Sequence, residues 1–117
     1  MTSIVFYKHG GAQKTSGADE KVGNIAGFEV SGHSTENEAD EEGRLVCSAV
    51  SSAAIMTANT VTEIIHDNAA VEAYDGYLSL KAENADKCRD ILSGFELHVN
   101  ELAKQYPDRI KILVKSV

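Results

Sequence analysis

The chain has 117 residues, 43% of them hydrophobic and 25% charged, which suits one globular domain. Its net charge of −7 disfavours direct contact with nucleic-acid phosphates and favours a basic partner. Because the apolar runs fall short of the ~20 residues of a membrane span, no membrane contact is expected. The first residues lack the pattern of a secretory signal and there are only two cysteines, so we expect a cytoplasmic protein without a disulfide framework.

The first third of the chain predicts two β-strands. Residues 3–9 have an apolar run at their centre, and residues 10–21 are rich in the small and polar residues typical of a loop. In residues 24–31, Phe28 and Val30 alternate with polar residues, as on a half-buried strand.

An acidic segment and a long helix come next. Residues 34–44 carry five acidic side chains and almost no apolar ones, which predicts a solvated, mobile loop. An acidic run by itself is more typical of a surface that keeps a protein in solution than of a site. Residues 45–66 predict a helix, because apolar side chains recur every three or four residues among many small ones.

The remainder predicts a hairpin, a second helix and a last strand. Two short strands flank Asp75-Gly76, a dipeptide that favours a turn with positive φ at both positions, and Tyr74 and Tyr77 are expected to pair across it.

The second helix is predicted over residues 84–106, capped by Asn84 and stopped by Pro107, and residues 110–114 predict the last strand. The order β-β-α-β-β-α-β predicts a single-domain α/β protein, residues 1–117, with two helices packed on a mainly antiparallel sheet.

Most residues that can carry chemistry have a plainer structural explanation. His9, His66 and His98 have no partners at metal-ligand spacing, so neither a metal nor a cofactor is expected. Cys88 falls on the apolar stripe of the second helix, where a free cysteine packs as a small hydrophobic residue.

Cys47 differs, because it lies near the predicted start of the first helix, directly after the acidic loop. Unpaired N–H groups at a helix start stabilise a thiolate and a developing oxyanion. His33 follows the second strand and Gly32, and the loop can return it toward Cys47. A thiol and an imidazole within reach of each other are the minimum for thiol acyl transfer. By itself, however, one cysteine and one histidine fourteen positions apart more often have no joint catalytic role.

The segments around these two residues resemble the bacterial ribosomal-processing cysteine protease family, Prp. The family pattern is Gly-His-Ala, a loop, and then Asp-Ile-Val-Cys-Ala-Ala-Val-Ser. Here the sequence reads Gly-His-Ser from Gly32 and Arg-Leu-Val-Cys-Ser-Ala-Val-Ser from Arg44. The resemblance covers most of the chain, since the length and the order of elements also fit. It implies a cytosolic α/β homodimer that removes an N-terminal extension from a large-subunit ribosomal protein.

The resemblance also implies roles for individual residues. Cys47 matches the family nucleophile and His33 the general base. Gly32 and Ser51 match supporting positions, and Ser51 lies one helical turn after Cys47, where it would face the same side.

The sequence departs from the family at Arg44, where the family has an aspartate. If that aspartate orients the histidine or the loop, Glu42 or a neighbouring acid would have to take its part. Alternatively, the positive charge of Arg44 favours the thiolate. The loop 34–44 would act as a lid at the active site, and its acids would suit a basic substrate.

We therefore predict a cysteine endopeptidase that processes the precursor of a basic ribosomal protein in the cytoplasm, as a homodimer. It would need no cofactor, and no nucleic acid or membrane partner is expected. The alternative is a non-catalytic binding module that holds such a protein during assembly. A different acyl-transfer or deamidating thiol enzyme is a third possibility.

Overall fold

The structure, a computed structural model, describes residues 1–9, 24–32 and 40–117. The predicted loop at 10–21, His33 and most of the acidic segment lie outside the described residues. The described strands and main helices follow the predicted order. They are β1 (Thr2–Lys8), β2 (Ile25–Ser31), α1 (Glu41–Asn59), β3 (Ala70–Tyr74), β4 (Tyr77–Lys81), α2 (Arg89–Gln105) and β5 (Ile110–Ser116), and a π-helical turn, Thr60–Ile64, extends α1.

The five strands form one mixed sheet in the order β3-β4-β2-β1-β5. Three neighbouring pairs are antiparallel, and only β1 and β5 are parallel. The parallel pair arises because α2 carries the chain back across the sheet before β5 begins. The predicted fold class, two helices on a mainly antiparallel sheet, is confirmed.

The core lies between one face of this sheet and the two helices. The rings of Phe6 and Phe28 lie beside Phe95 of α2, with centroid distances of 5.8 and 4.7 Å. Both strand residues belong to the alternate positions that turn inward, as the two-residue period of a strand requires. The first helix contributes a row of small and branched side chains, namely Val46, Val50, Ala54, Ala58 and, beyond its end, Val61.

The first helix begins at Glu41, four residues earlier than predicted. Asp40 caps it, because its Oδ1 accepts a hydrogen bond from the N–H of Gly43 at 3.0 Å. The side chain of Arg109, at the start of β5, forms ion pairs with Asp40 and Glu42. The prediction of a loop up to residue 44 was therefore wrong, since residues 41–44 form the first helical turn.

The same helix is unusually apolar. Residues Glu41–Ile64 meet the length and composition of a membrane span, with a mean hydropathy of 1.4 over the best window, which the sequence prediction missed. Val50, Ala54 and Val61 of this segment are fully buried in the core. Packing in the core therefore accounts for part of its apolar surface, whereas Leu45, Ile55, Met56 and Ile64 remain exposed.

The second helix begins later than predicted, at Arg89 instead of residue 84. The buried carboxylate of Asp67 accepts the N–H groups of Glu83 and Asn84, at 2.8 and 2.9 Å. This contact holds the segment before α2 in a non-helical path. Asn84 is consequently not the cap of the helix, and its own side chain accepts an N–H within the preceding turn.

The β3–β4 hairpin forms where Asp75-Gly76 predicted it. Tyr74 and Tyr77 pair across the turn and their rings stack, with centroids 4.8 Å apart and planes inclined by 18°. Of the two turn residues, Asp75 and Gly76, only Gly76 has a positive φ, 76°, so the expectation of a turn with two positive φ angles was wrong.

Candidate active site

A cleft of about 320 Å³ lies where α1, the end of β2 and the β3–β4 hairpin meet. Cys47 and Ser51 line it from α1, and Gly32 lines it from the end of β2. Residues 73–78 of the β3–β4 hairpin form the wall on the third side. Three residues that the sequence singled out, Cys47, Ser51 and Gly32, are thus brought together from two separate elements.

The two cysteines of the chain lie in different surroundings. Cys47 is half-buried and faces the cleft, whereas Cys88 is fully buried in the hydrophobic core, as predicted. Burial, reinforced by the charge of Asp67, raises the pKa of the Cys88 thiol. Of the two, Cys47 is the one that lines the cleft.

The relation of Cys47 to the helix start differs from the prediction. Because α1 begins at Glu41, Cys47 is its seventh residue, about 9 Å along the axis from the first one. The N–H groups without helical partners belong to the first turn, and that of Gly43 is bound by the Asp40 side chain. The expectation that this helix start supplies oxyanion donors beside Cys47 was therefore wrong.

Gly32 connects two walls of the cleft. Its N–H donates a hydrogen bond to the carbonyl oxygen of Gly76 at 3.1 Å, which ties the end of β2 to the hairpin turn. Its φ is 92°, and a Cβ at this position would lie 2.7 Å from the carbonyl oxygen of Met1. Both facts require glycine here. His33, the next residue, lies outside the described residues.

A hydrogen-bonded group on the opposite face of the sheet adjoins the hairpin wall. The hydroxyls of Tyr7 and Tyr77 donate to the two carboxylate oxygens of Glu29, at 2.9 and 2.5 Å. These bonds raise the pKa of both tyrosines, because the neutral phenol is the donor. Sequence reasoning missed Glu29, although its position between Phe28 and Val30 marks it as pointing to the other face.

Two acidic residues at the start of α1, Asp40 and Glu42, pair with Arg109. Arg44 is exposed on the first turn of the helix. Glu42, considered above as a stand-in for the family aspartate, instead accepts a hydrogen bond from Nε of Arg109 at 3.2 Å. Sequence reasoning missed Arg109, since no local signal relates it to a segment 67 residues earlier.

Among the residues that the structure describes, the other histidines do not form a metal site with their neighbours. His9 and His66 line a second cleft of about 510 Å³, which Asp67 and Asp86 also line. Within residues 1–9, 24–32 and 40–117, no three histidine, cysteine or acidic side chains lie close enough together to hold a metal ion.

Comparison with known proteins assigns this arrangement to a class and then to a family. The profile of a family of cysteine proteases, and hence of hydrolases, matches residues 14–111. That family is described as cysteine protease Prp, and the chain belongs to it. A search of the curated proteins found no significant match.

Solved structures show the same fold. The crystal structure of SMU.848 from Streptococcus mutans has a TM-score of 0.77 at 18% identity, and the match covers 100% of this chain and 96% of the other. The ribosomal processing protease Prp of S. aureus with a covalently linked product peptide has a TM-score of 0.76 at 14% identity. The same protease with a substrate peptide has a TM-score of 0.75 at 13% identity. Each of these two matches covers 98% of this chain and 100% of the other.

Proposed function

We propose that this protein is a cysteine endopeptidase that removes an N-terminal extension from the precursor of a large-subunit ribosomal protein. Cys47 acts as the nucleophile and His33 as the general base. The observation that carries the proposal is the exposure of Cys47 to a cleft whose opposite edge, Gly32, directly precedes His33 in the sequence. Membership of the Prp family supports the choice of reaction.

The reaction follows the general course of thiol proteolysis. His33 takes the proton from Sγ of Cys47, and the thiolate adds to the carbonyl carbon of the scissile peptide bond. The tetrahedral intermediate collapses, the C–N bond breaks, and the leaving amine takes the proton from His33. Water, deprotonated in turn by His33, then hydrolyses the thioester and restores the thiol. Ser51, on the same wall of the cleft, offers a hydroxyl beside the reacting groups.

The nature of the substrate follows from charge and from the relatives. A protein with a net charge of −7 attracts basic partners, and ribosomal proteins are basic. The S. aureus relative is described as a ribosomal processing protease and was solved with a substrate peptide. A homodimer that works in the cytoplasm, without direct contact with nucleic acid or membrane, completes the proposal.

The test is cleavage of a peptide that spans the N-terminal region of the ribosomal protein precursor. The wild type is expected to cut it, and Cys47→Ala and His33→Ala each to abolish cutting. The double variant should lose little more, because residues of one catalytic unit are not additive. Cys88→Ala is the matched control, since its sulfur lies in the core away from the cleft, and it should retain most of the activity at a temperature where it is folded.

The contrary result would favour the binding module. A wild type that binds the precursor without cutting it, together with a Cys47→Ala variant that binds equally well, would overturn the enzymatic proposal. The acidic balance of the chain would then serve only to hold a basic protein.

A further inference from the structure

A buried hydroxyl without a hydrogen-bond partner lies beside the cleft that contains Cys47. Thr2, the first residue of β1, lines this cleft and is only 2% exposed. Its Oγ1 is buried and makes no hydrogen bond, which holds for no other buried side-chain nitrogen or oxygen in the described part of the chain. Because a buried polar group without a partner destabilises the fold, this hydroxyl calls for an explanation beyond folding.

The pleat of β1 fixes the side of the sheet on which this side chain lies. Successive side chains of a strand alternate between the two faces, so Thr2 shares its face with Ile4 and Phe6, which are fully buried. Both belong to the core cluster that includes Val50 of α1. The Thr2 side chain therefore lies on the same side of the sheet as α1, the helix that carries Cys47.

Two neighbouring backbone donors are already engaged. The N–H of Thr2 donates to the carbonyl oxygen of Arg109 at 3.0 Å, and the N–H of Gly32 donates to that of Gly76 at 3.1 Å. The N–H groups of the first turn of α1 lie away from Cys47, which is the seventh residue of that helix. The hydroxyl of Thr2 is thus a donor that the free protein leaves unused at the edge of the cleft.

We propose that Thr2 is a substrate-binding residue of this cleft, and that its hydroxyl donates a hydrogen bond to a backbone carbonyl oxygen of the bound peptide. Since Oγ1 is buried in the free protein, this contact requires a change of χ1 rotamer, which moves a threonine hydroxyl by about 120° around the Cα–Cβ bond. A backbone carbonyl is an acceptor that every peptide offers, whatever its side chains. This inference rests on the proposed function.

The substitution Thr2→Val tests the inference, because it keeps the shape of the side chain and removes the hydroxyl. Loss of a buried hydroxyl without a partner should raise the melting temperature by about 2–5 °C. Loss of a bond made only with the substrate should raise KM for the cleaved peptide about three- to tenfold, with little change in kcat. Thr2→Ser, which keeps the hydroxyl, should retain a KM within about twofold of the wild type.

Thr57→Val is the matched control. Thr57 is also fully buried, but its hydroxyl donates to the carbonyl oxygen of Ala53 at 2.8 Å, and it does not line the cleft of Cys47. The same substitution should here lower the melting temperature by about 2–5 °C, because a hydrogen bond of the free protein is lost. Its KM, measured where the variant is folded, should stay within about twofold of the wild type.

Two results would overturn the inference. A Thr2→Val variant that melts below the wild type would mean that the hydroxyl has a partner in the free protein. An unchanged KM would mean that the hydroxyl does not reach the substrate. If the wild type cuts no peptide, the proposed function fails, and calorimetric binding of the same peptide decides the inference: weaker binding by Thr2→Val supports it, whereas equal binding, or no binding by the wild type, overturns it.

Discussion

Replacement of Gly32 by alanine tests how strictly the cleft depends on the backbone at the end of β2. At a φ of 92° an L-residue crowds its own backbone, which costs about 1–2 kcal/mol. The new Cβ would also lie 2.7 Å from the carbonyl oxygen of Met1, and overpacking of this kind costs about 1–3 kcal/mol. We therefore expect Gly32→Ala to lower the free energy of unfolding by about 2–5 kcal/mol.

Gly94→Ala provides the matched control. Gly94 lies inside α2, and a Cβ there meets no atom within 4 Å. The same substitution should therefore raise stability by about 0.5–1 kcal/mol, because alanine favours a helix interior. Urea unfolding followed by circular dichroism measures the free energy of unfolding of both variants. A cleavage assay of Gly32→Ala under conditions where it is folded then shows whether the strained backbone before His33 also lowers the activity.

The outcome that would refute this reasoning is specific. If Gly32→Ala unfolds within about 0.5 kcal/mol of the wild type, the backbone at this position accepts a side chain and the strain argument fails. If Gly94→Ala is destabilised as strongly as Gly32→Ala, the loss has a cause other than backbone conformation.

Three further predictions follow from burial and hydrogen bonding. Iodoacetamide should label Cys47 much faster than Cys88, whose thiol is buried and has a raised pKa; mass mapping decides, and equal rates would contradict the assignment. The stability that Tyr7 and Tyr77 confer should be fully present below about pH 10 and be lost as the pH rises through their raised folded-state pKa values. In unfolding experiments, the variant with both tyrosines replaced by phenylalanine should not show this loss of stability at alkaline pH. If that variant loses as much stability as the wild type, the two tyrosines are not the cause. Asp67→Ala should lower the free energy of unfolding in urea by about 2–4 kcal/mol, since two backbone N–H groups lose their acceptor. A decrease below about 0.5 kcal/mol would mean that water replaces the carboxylate as acceptor.

Local patterns were sufficient for the elements and their order. The alternation around Phe28, the helical spacing after residue 45 and the Asp75-Gly76 turn each act over a few residues, so the sequence alone predicts them. The same holds for Cys47 and Gly32, which stand in short motifs, and for the burial of Cys88 on an apolar stripe. The α/β class and the family could therefore be inferred before any geometry was known.

Helix boundaries were decided by residues distant in sequence. Arg109 holds the first turn of α1 from across the fold, and Asp67 keeps Asn84 out of α2. Neither contact leaves a local signal, so the sequence placed the start of α1 too late and that of α2 too early. The misplacement of α1 also produced the incorrect expectation about the helix start beside Cys47.

The shape of the cleft likewise depended on tertiary structure. Glu29 meets Tyr7 and Tyr77 across separations of 22 and 48 residues, and strand pairing alone brings them onto one face of the sheet. The hairpin reaches Gly32 only because β4 pairs with β2. Motifs along the chain thus singled out Cys47 as the candidate nucleophile, whereas the hairpin wall of the cleft was decided by sheet register, which depends on contacts between segments far apart in the sequence.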